Sequence, residues 1–211
     1  MLDYTEYVNI FVALLAVINP LGAISMFIAL TPGKEMTARK KIAKIASFSA
    51  TLILLVALVA GEGVLAIFGI SVSSFRVGGG ILILLMAISM LQAELSPTVQ
   101  TKEEAEESNR KHDIAVVPLA TPLLAGPGGI STVVVEAHKG TNLGHEMLLG
   151  LTIIIVGICL WMALHLAPLI SQRLGKTGIN VFTRIMGLVL AAIAVEIIAN
   201  GLKGLFPALT G

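Results

Sequence analysis

The chain has 211 residues, 56% of them hydrophobic and 13% charged, with a net charge of +1 and a mean hydropathy of +0.94. Soluble domains carry roughly 25% charged residues, so this composition cannot build a water-facing exterior but can build a lipid-facing helical one. The near-neutral balance excludes a nucleic-acid binder, and the single cysteine, Cys159, excludes an intrachain disulfide and any multi-cysteine metal site.

The N-terminus carries Asp3 and Glu6 where a cleavable signal needs positive charge, so the first apolar segment is expected to remain as a span. It reads from about Val8 to Leu30, free of charge between Glu6 and Lys34. Pro20 and Gly22 interrupt it within Ile18-Asn19-Pro20-Leu21-Gly22-Ala23. Proline removes a backbone donor and glycine permits unusual dihedrals, so a break is predicted there. Asn19 adds a polar side chain that would be unfavourable facing lipid.

Ile45 to Gly61 and Val77 to Ala93 are the second and third predicted spans, bracketed by Lys44 and Glu62, and by Arg76 and Glu94. Residues 94–113, with Glu103, Glu104, Glu106 and Glu107, read as a solvated acidic linker. A fourth span is expected between Asp113 and Glu136. Three glycines and a proline fall in it at Gly126-Pro127-Gly128-Gly129, followed by Ile130-Ser131-Thr132, and no uniform helix tolerates that run without unwinding. Glu146 and Arg173 bracket a fifth span, and a sixth runs from about Val181 to Leu202 and contains Glu196. Each is roughly 17 to 25 residues, the length needed to cross the hydrocarbon.

Lys34, Arg39, Lys40, Lys41, Lys44, Lys102, Arg110, Lys111, Arg173 and Lys176 follow the odd-numbered spans, ten basic residues on one side. Arg76, Lys139 and Lys203 lie on the other, with Arg184 at a boundary. Basic loops stay cytoplasmic, which puts both termini outside the cell membrane. The four histidines, His112, His138, His145 and His165, have no ligand-like spacing, so neither a metal nor a cofactor is predicted.

Pro20 and Gly22 recur as Pro127 and Gly129, an offset of 107 residues that also relates Phe75 to Phe182 and Gly80 to Gly187. Three spans per half is an odd number, so the second half would enter the membrane inverted, the plan of many secondary transporters. The expected fold is therefore an all-α membrane protein of six transmembrane helices in two inverted three-helix repeats, with helices 1 and 4 broken near the midplane. Residues 1–93 form the first repeat, 94–113 a cytoplasmic linker and 114–211 the second.

Each break frees amides at the start of one half-helix and carbonyls at the end of the other. The amides attract a carboxylate; the carbonyls, with Asn19, Ser25, Ser131 or Thr132, accept bonds from an ammonium group. A small zwitterion suits such a site without a buried countercharge.

These residues together resemble the MarC family of integral membrane proteins, which includes the SnatA-type small neutral amino acid transporters. The resemblance rests on Ile18-Asn19-Pro20-Leu21-Gly22 and on Pro118-Leu119-Ala120-Thr121-Pro122-Leu123-Leu124-Ala125-Gly126-Pro127-Gly128-Gly129-Ile130-Ser131-Thr132, and extends to length, span number and linker. It implies transport of glycine, alanine and serine across the cytoplasmic membrane, with the substrate site at the two motifs: Asn19, Pro20, Gly22, Ser25, Gly126, Pro127, Gly128, Gly129, Ser131 and Thr132.

Glu196 belongs to neither motif. Intramembrane acids often mark ion coupling, so coupling to H+ through Glu196 and to Na+ through unwound carbonyls are both open. Two other classes compete. A channel, or a carrier of another small polar solute, fits the same spans, although nothing resembles a selectivity filter. An intramembrane hydrolase would need Ser131 within reach of a base such as His165, and their expected depths differ; the chain is read as no enzyme.

Overall fold

The computed structural model describes residues 4–31, 33–92, 124–140 and 142–210. In chain order the elements are α1 (Tyr4–Ile18), α2 (Pro20–Leu30), α3 (Met36–Ile67), α4 (Val72–Gln92), α5 (Pro127–Ala137), α6 (Leu143–His165), α7 (Ala167–Leu205) and a closing 3-10 turn, Pro207–Thr210. The predicted linker at 94–113, with Pro118 and Pro122, lies outside the described residues.

α1 and α2 form one apolar span with a break inside it. The break has a local cause. Pro20 has no amide for the Ala16 carbonyl, so the helical repeat fails at that point. Asn19 turns the chain through the left-handed region, φ 47° and ψ 69°, where asparagine is among the few side chains tolerated. Its Oδ1 then accepts from the Gly22 amide at 3.2 Å and caps α2. Pro20 occupies the first helical position, where a missing N–H is harmless. Backbone bonds from Asn19 N to the Leu15 oxygen and from Ala23 N to the Asn19 oxygen keep the two halves joined.

Five helical stretches among the described residues are long and apolar enough to cross a membrane. The second span is longer than the charge-free window of Ile45 to Gly61. α3 has 32 residues, and exposed Lys40, Lys41 and Lys44 ride on its first turns. Long cations extend along a helix toward water, so charge marks the hydrocarbon edge rather than the helix end. α4 likewise begins before Arg76, and α7 continues through a kink at Gly175, φ 61°, into the stretch Thr177–Leu205. Of the predicted fourth span, only Pro127–Ala137 is a described helix, so six spans are not seen as such.

α4 and α7 run antiparallel, Ser73 meeting Gly204, Val77 meeting Gly201, and Met90 meeting Gly187. α3 and α6 pair in the same sense, Thr51 against Gly157 and Leu58 against Gly150. Helices in lipid gain no hydrophobic energy by associating, so close backbone approach at small residues holds such pairs. A Cβ added to Gly80 would stand 3.2 Å from the Ala194 carbonyl oxygen, and one added to Gly187 3.1 Å from the Ala87 oxygen. Gly187 follows Gly80, and Ala194 follows Ala87, by the same 107 residues. Each contact is thus the other with its partners exchanged. Ile83 and Leu190, related by that offset too, are both fully buried.

The outer surface is apolar, with Val59 85% exposed and Ile67 84% exposed, as a lipid-facing wall requires. One core joins α1, α2, α3, α5 and α6. A smaller one holds Ala16 and Val17 of α1 against Ile83, Ala87, Leu190 and Ala194.

Candidate functional site

The two interrupted segments meet. α5 starts at Gly126, whose extended backbone (φ −69°, ψ 175°) ends the preceding run, and has Pro127 at its first position. Pro127 has no amide, and the Ile130 amide bonds to the Gly126 oxygen at 3.1 Å. Gly128 and Gly129 are therefore the amides without a partner in the helical repeat, at its positive end. Both glycines are buried at the end of α1. A Cβ on Gly128 would stand 3.2 Å from Val17 Cγ1 and 2.9 Å from Ile83 Cγ1, and one on Gly129 3.4 Å from Leu54 Cδ2. Larger residues would push the half-helix off the break it rests on.

α4 covers both breaks along one stripe. Gly79 faces Ser131, Ile83 and Met86 face Gly128, and Met90 faces Asn19. The Asn19 Nδ2 donates to the Met90 sulfur at 3.8 Å. A thioether is a weak acceptor, so this donor is underused and free to turn to a better one. On the acceptor side, the Ala16 carbonyl loses its helical donor to Pro20, and the Gly22 amide goes to the Asn19 side chain rather than to the Ile18 carbonyl.

The structure thus brings Asn19, Gly128, Gly129 and Ser131 to one region, with Pro20, Gly22, Gly126 and Pro127 forming the turns that place them. Ser131 is buried against Gly79. Thr132 is buried as well, and its hydroxyl donates to the Gly128 oxygen at 2.8 Å, which leaves only a lone pair for a ligand. Ser25 falls in the second turn of α2, its side chain outside the described residues. Glu196 is elsewhere. It is exposed on α7, on the face opposite Ala194, Ile197 and Ile198, which pack against α4. His165 lies beside Trp161, ring centroids 5.2 Å apart, on a helix other than that of Ser131.

Sequence reasoning passed over Gly79, Met86 and Met90. Their spacing is a signal in retrospect: with Ile83 they follow helical periodicity on one face of α4. It also passed over Tyr7 and His145, which meet at the end of the fold that carries the N-terminus.

Comparison with known proteins agrees with this architecture. The family model described as MarC family integral membrane protein matches residues 4–206. A membrane protein of Buchnera aphidicola, UPF0056 membrane protein BU267, is 42% identical over 207 residues, covering 98% of this chain and 96% of the relative. UPF0056 membrane protein YhcE of Escherichia coli is 40% identical over 207 residues with the same coverage. MJ1677 of Methanocaldococcus jannaschii, also a UPF0056 membrane protein, is 36% identical over 203 residues, 96% of this chain and 98% of the relative. No solved structure matches. The chain belongs to the MarC family of integral membrane proteins.

Proposed function

We propose that this MarC-family protein is a secondary transporter that carries small neutral amino acids across the cell membrane by alternating access, binding them at the break between α1 and α2 and at the start of α5. The observation that carries the reading is the meeting of the end of α1, where a left-handed Asn19 leads into proline-started α2, with the two glycine amides that open proline-started α5. Positive half-helix ends suit a substrate carboxylate, and the carbonyls freed at the end of α1 suit its ammonium group. Ile83, Met86 and Leu54 crowd the glycines, which favours a substrate with a short side chain.

The reciprocal contacts of Gly80 with Ala194 and Gly187 with Ala87 support an inverted repeat, because a two-fold axis between halves generates one from the other. The excess of basic residues after odd-numbered spans supports termini outside the cell. Exposure of Glu196 away from the breaks favours ion coupling at the freed carbonyls over coupling through that carboxylate.

The test is exchange of labelled alanine into liposomes loaded with unlabelled alanine, with glycine, serine, leucine and glutamate as competitors. Saturable exchange blocked by glycine and serine is the expected result. A variant carrying Gly126→Ala and Gly128→Ala is expected to lose it, since a methyl at 128 meets Ile83 and Val17. No exchange by a folded, monodisperse protein would refute amino acid transport.

A further inference from the structure

His145 is 1% exposed, and the transport reading gives it no task. Its two ring nitrogens face two different helices. Nε2 lies 2.9 Å from the Glu136 carbonyl oxygen, and Nδ1 lies 2.9 Å from the Tyr7 hydroxyl. A carbonyl only accepts, which assigns the proton to Nε2 and makes Nδ1 the acceptor of the Tyr7 hydroxyl. The ring is held in place from behind. Asn142 Oδ1 accepts from the His145 amide at 2.8 Å, and a Cβ on Gly140 would stand 2.5 Å from the imidazole Cγ.

What this chain joins is specific. Tyr7 stands on α1, upstream of the break at Asn19, and Glu136 stands near the end of α5, downstream of the break at Gly126. The imidazole therefore ties together the far ends of the two half-helices whose near ends form the candidate site. The positions related by the repeat offset lack these groups. The offset of 107 residues maps Tyr7 to Ile114 and His145 to Ala38, neither of which has a polar side chain. The opposite face closes its half-helix differently, with Arg39 Nη2 donating to the Thr31 oxygen at 2.9 Å at the end of α2.

We propose that the Tyr7–His145–Glu136 hydrogen-bond chain is a latch that keeps the transport site closed on the face carrying the N-terminus. The latch rests on the alternating-access reading above, since it acts on the equilibrium between the two facing states. For α1 and α5 to part on that face, the Tyr7–His145 bond must break, whereas opening of the other face leaves it intact. Removing it shifts the population toward the state open at the N-terminal face by the net worth of one hydrogen bond, about fivefold.

The test measures access to the site directly. Cys159→Ala removes the native thiol, and Ser131→Cys places a reporter at the start of α5. A charged, membrane-impermeant thiosulfonate is applied to intact cells and to inverted vesicles, and a separate Thr5→Cys variant identifies the preparation exposing the N-terminal face. The expected result for Tyr7→Phe, which removes one oxygen atom, is labelling up to about fivefold faster from the N-terminal face, and slower from the opposite face by the fraction of the population transferred. His145→Ala should move both rates the same way, with the double variant no further displaced than the stronger single one. Unchanged rates, or rates raised from both faces, would overturn the latch. Alanine exchange measured in parallel on the chain with Ser131 intact, with and without Tyr7→Phe, keeps the two ideas apart. Lost exchange with the opposed shift present would reject the substrate and keep the latch; exchange without the shift would reject the latch alone.

Discussion

Asn19 performs two separable tasks, and three substitutions distinguish them. In Asn19→Ala the residue must still adopt φ 47°, which in the left-handed region disfavours alanine by about 1–2 kcal/mol. It also loses the cap on the Gly22 amide, worth about 1 kcal/mol. The variant should be destabilised by about 2–3 kcal/mol. Asn19→Gly loses the cap but has no Cβ to strain, so its loss should be about 1 kcal/mol, mostly backbone freedom in the unfolded chain. Asn19→Asp keeps an acceptor for Gly22 and replaces the amide donor facing Met90 by a carboxylate. An ionised carboxylate this deep costs about 2.5–3.5 kcal/mol, so this variant should be less stable than the parent, and it should exchange alanine at least about tenfold more slowly because a like charge opposes the substrate carboxylate. Thermal unfolding in detergent ranks the stabilities, and liposome exchange ranks the activities. Equal stability of the alanine and glycine variants would refute a left-handed residue at the break. Full exchange by Asn19→Asp would remove the donor from the binding argument.

Two further predictions concern residues touching the same region. Gly79→Ala places a methyl on the Ser131 hydroxyl, an overpacking that should destabilise by about 1–3 kcal/mol; adding Ser131→Gly should recover most of it, as read from the melting temperature. Thr132→Val removes a hydroxyl whose proton is already engaged with the Gly128 oxygen, so alanine exchange should change by no more than about twofold. A loss of exchange there would assign the Thr132 oxygen a direct contact with the substrate.

The breaks were legible in the sequence because proline and glycine act locally. Pro20 ends α1 whatever packs around it, and Gly126-Pro127-Gly128-Gly129 restarts a helix for the same reason. Helix ends were less legible. Charge-free windows mark the hydrocarbon, but Lys40, Lys41, Lys44 and Arg76 sit inside helices whose ends project beyond it. Left unread were partners distant in sequence. Nothing near Tyr7 announces His145, 138 residues away, and a lone histidine gives no sign that both its nitrogens are engaged. Glu196 shows a different limit of the sequence, its helical phase. Its position in an apolar run suggested an interior acid, but helical phase places it on the exposed side of α7, and the contacts of Ala194 and Ile198 determine that phase.

The seam between α4 and α7 and the latch differ in what they do to the two facing states. Under the proposed inverted repeat, passing from one state to the other exchanges the conformations of the halves. The pair of contacts Gly80–Ala194 and Gly187–Ala87 maps onto itself in that exchange, so it is retained in both states and favours neither. That is the property required of an axis, and backbones brought close at glycine and alanine give it the same contacts in both states. The Tyr7–His145 bond maps onto Ile114 and Ala38, which cannot form it. On the latch reading it exists in one state only. On the proposed transport reading, the symmetric part of the sequence makes the two states interconvertible, and the asymmetric part biases their balance toward the one closed on the face that carries Tyr7.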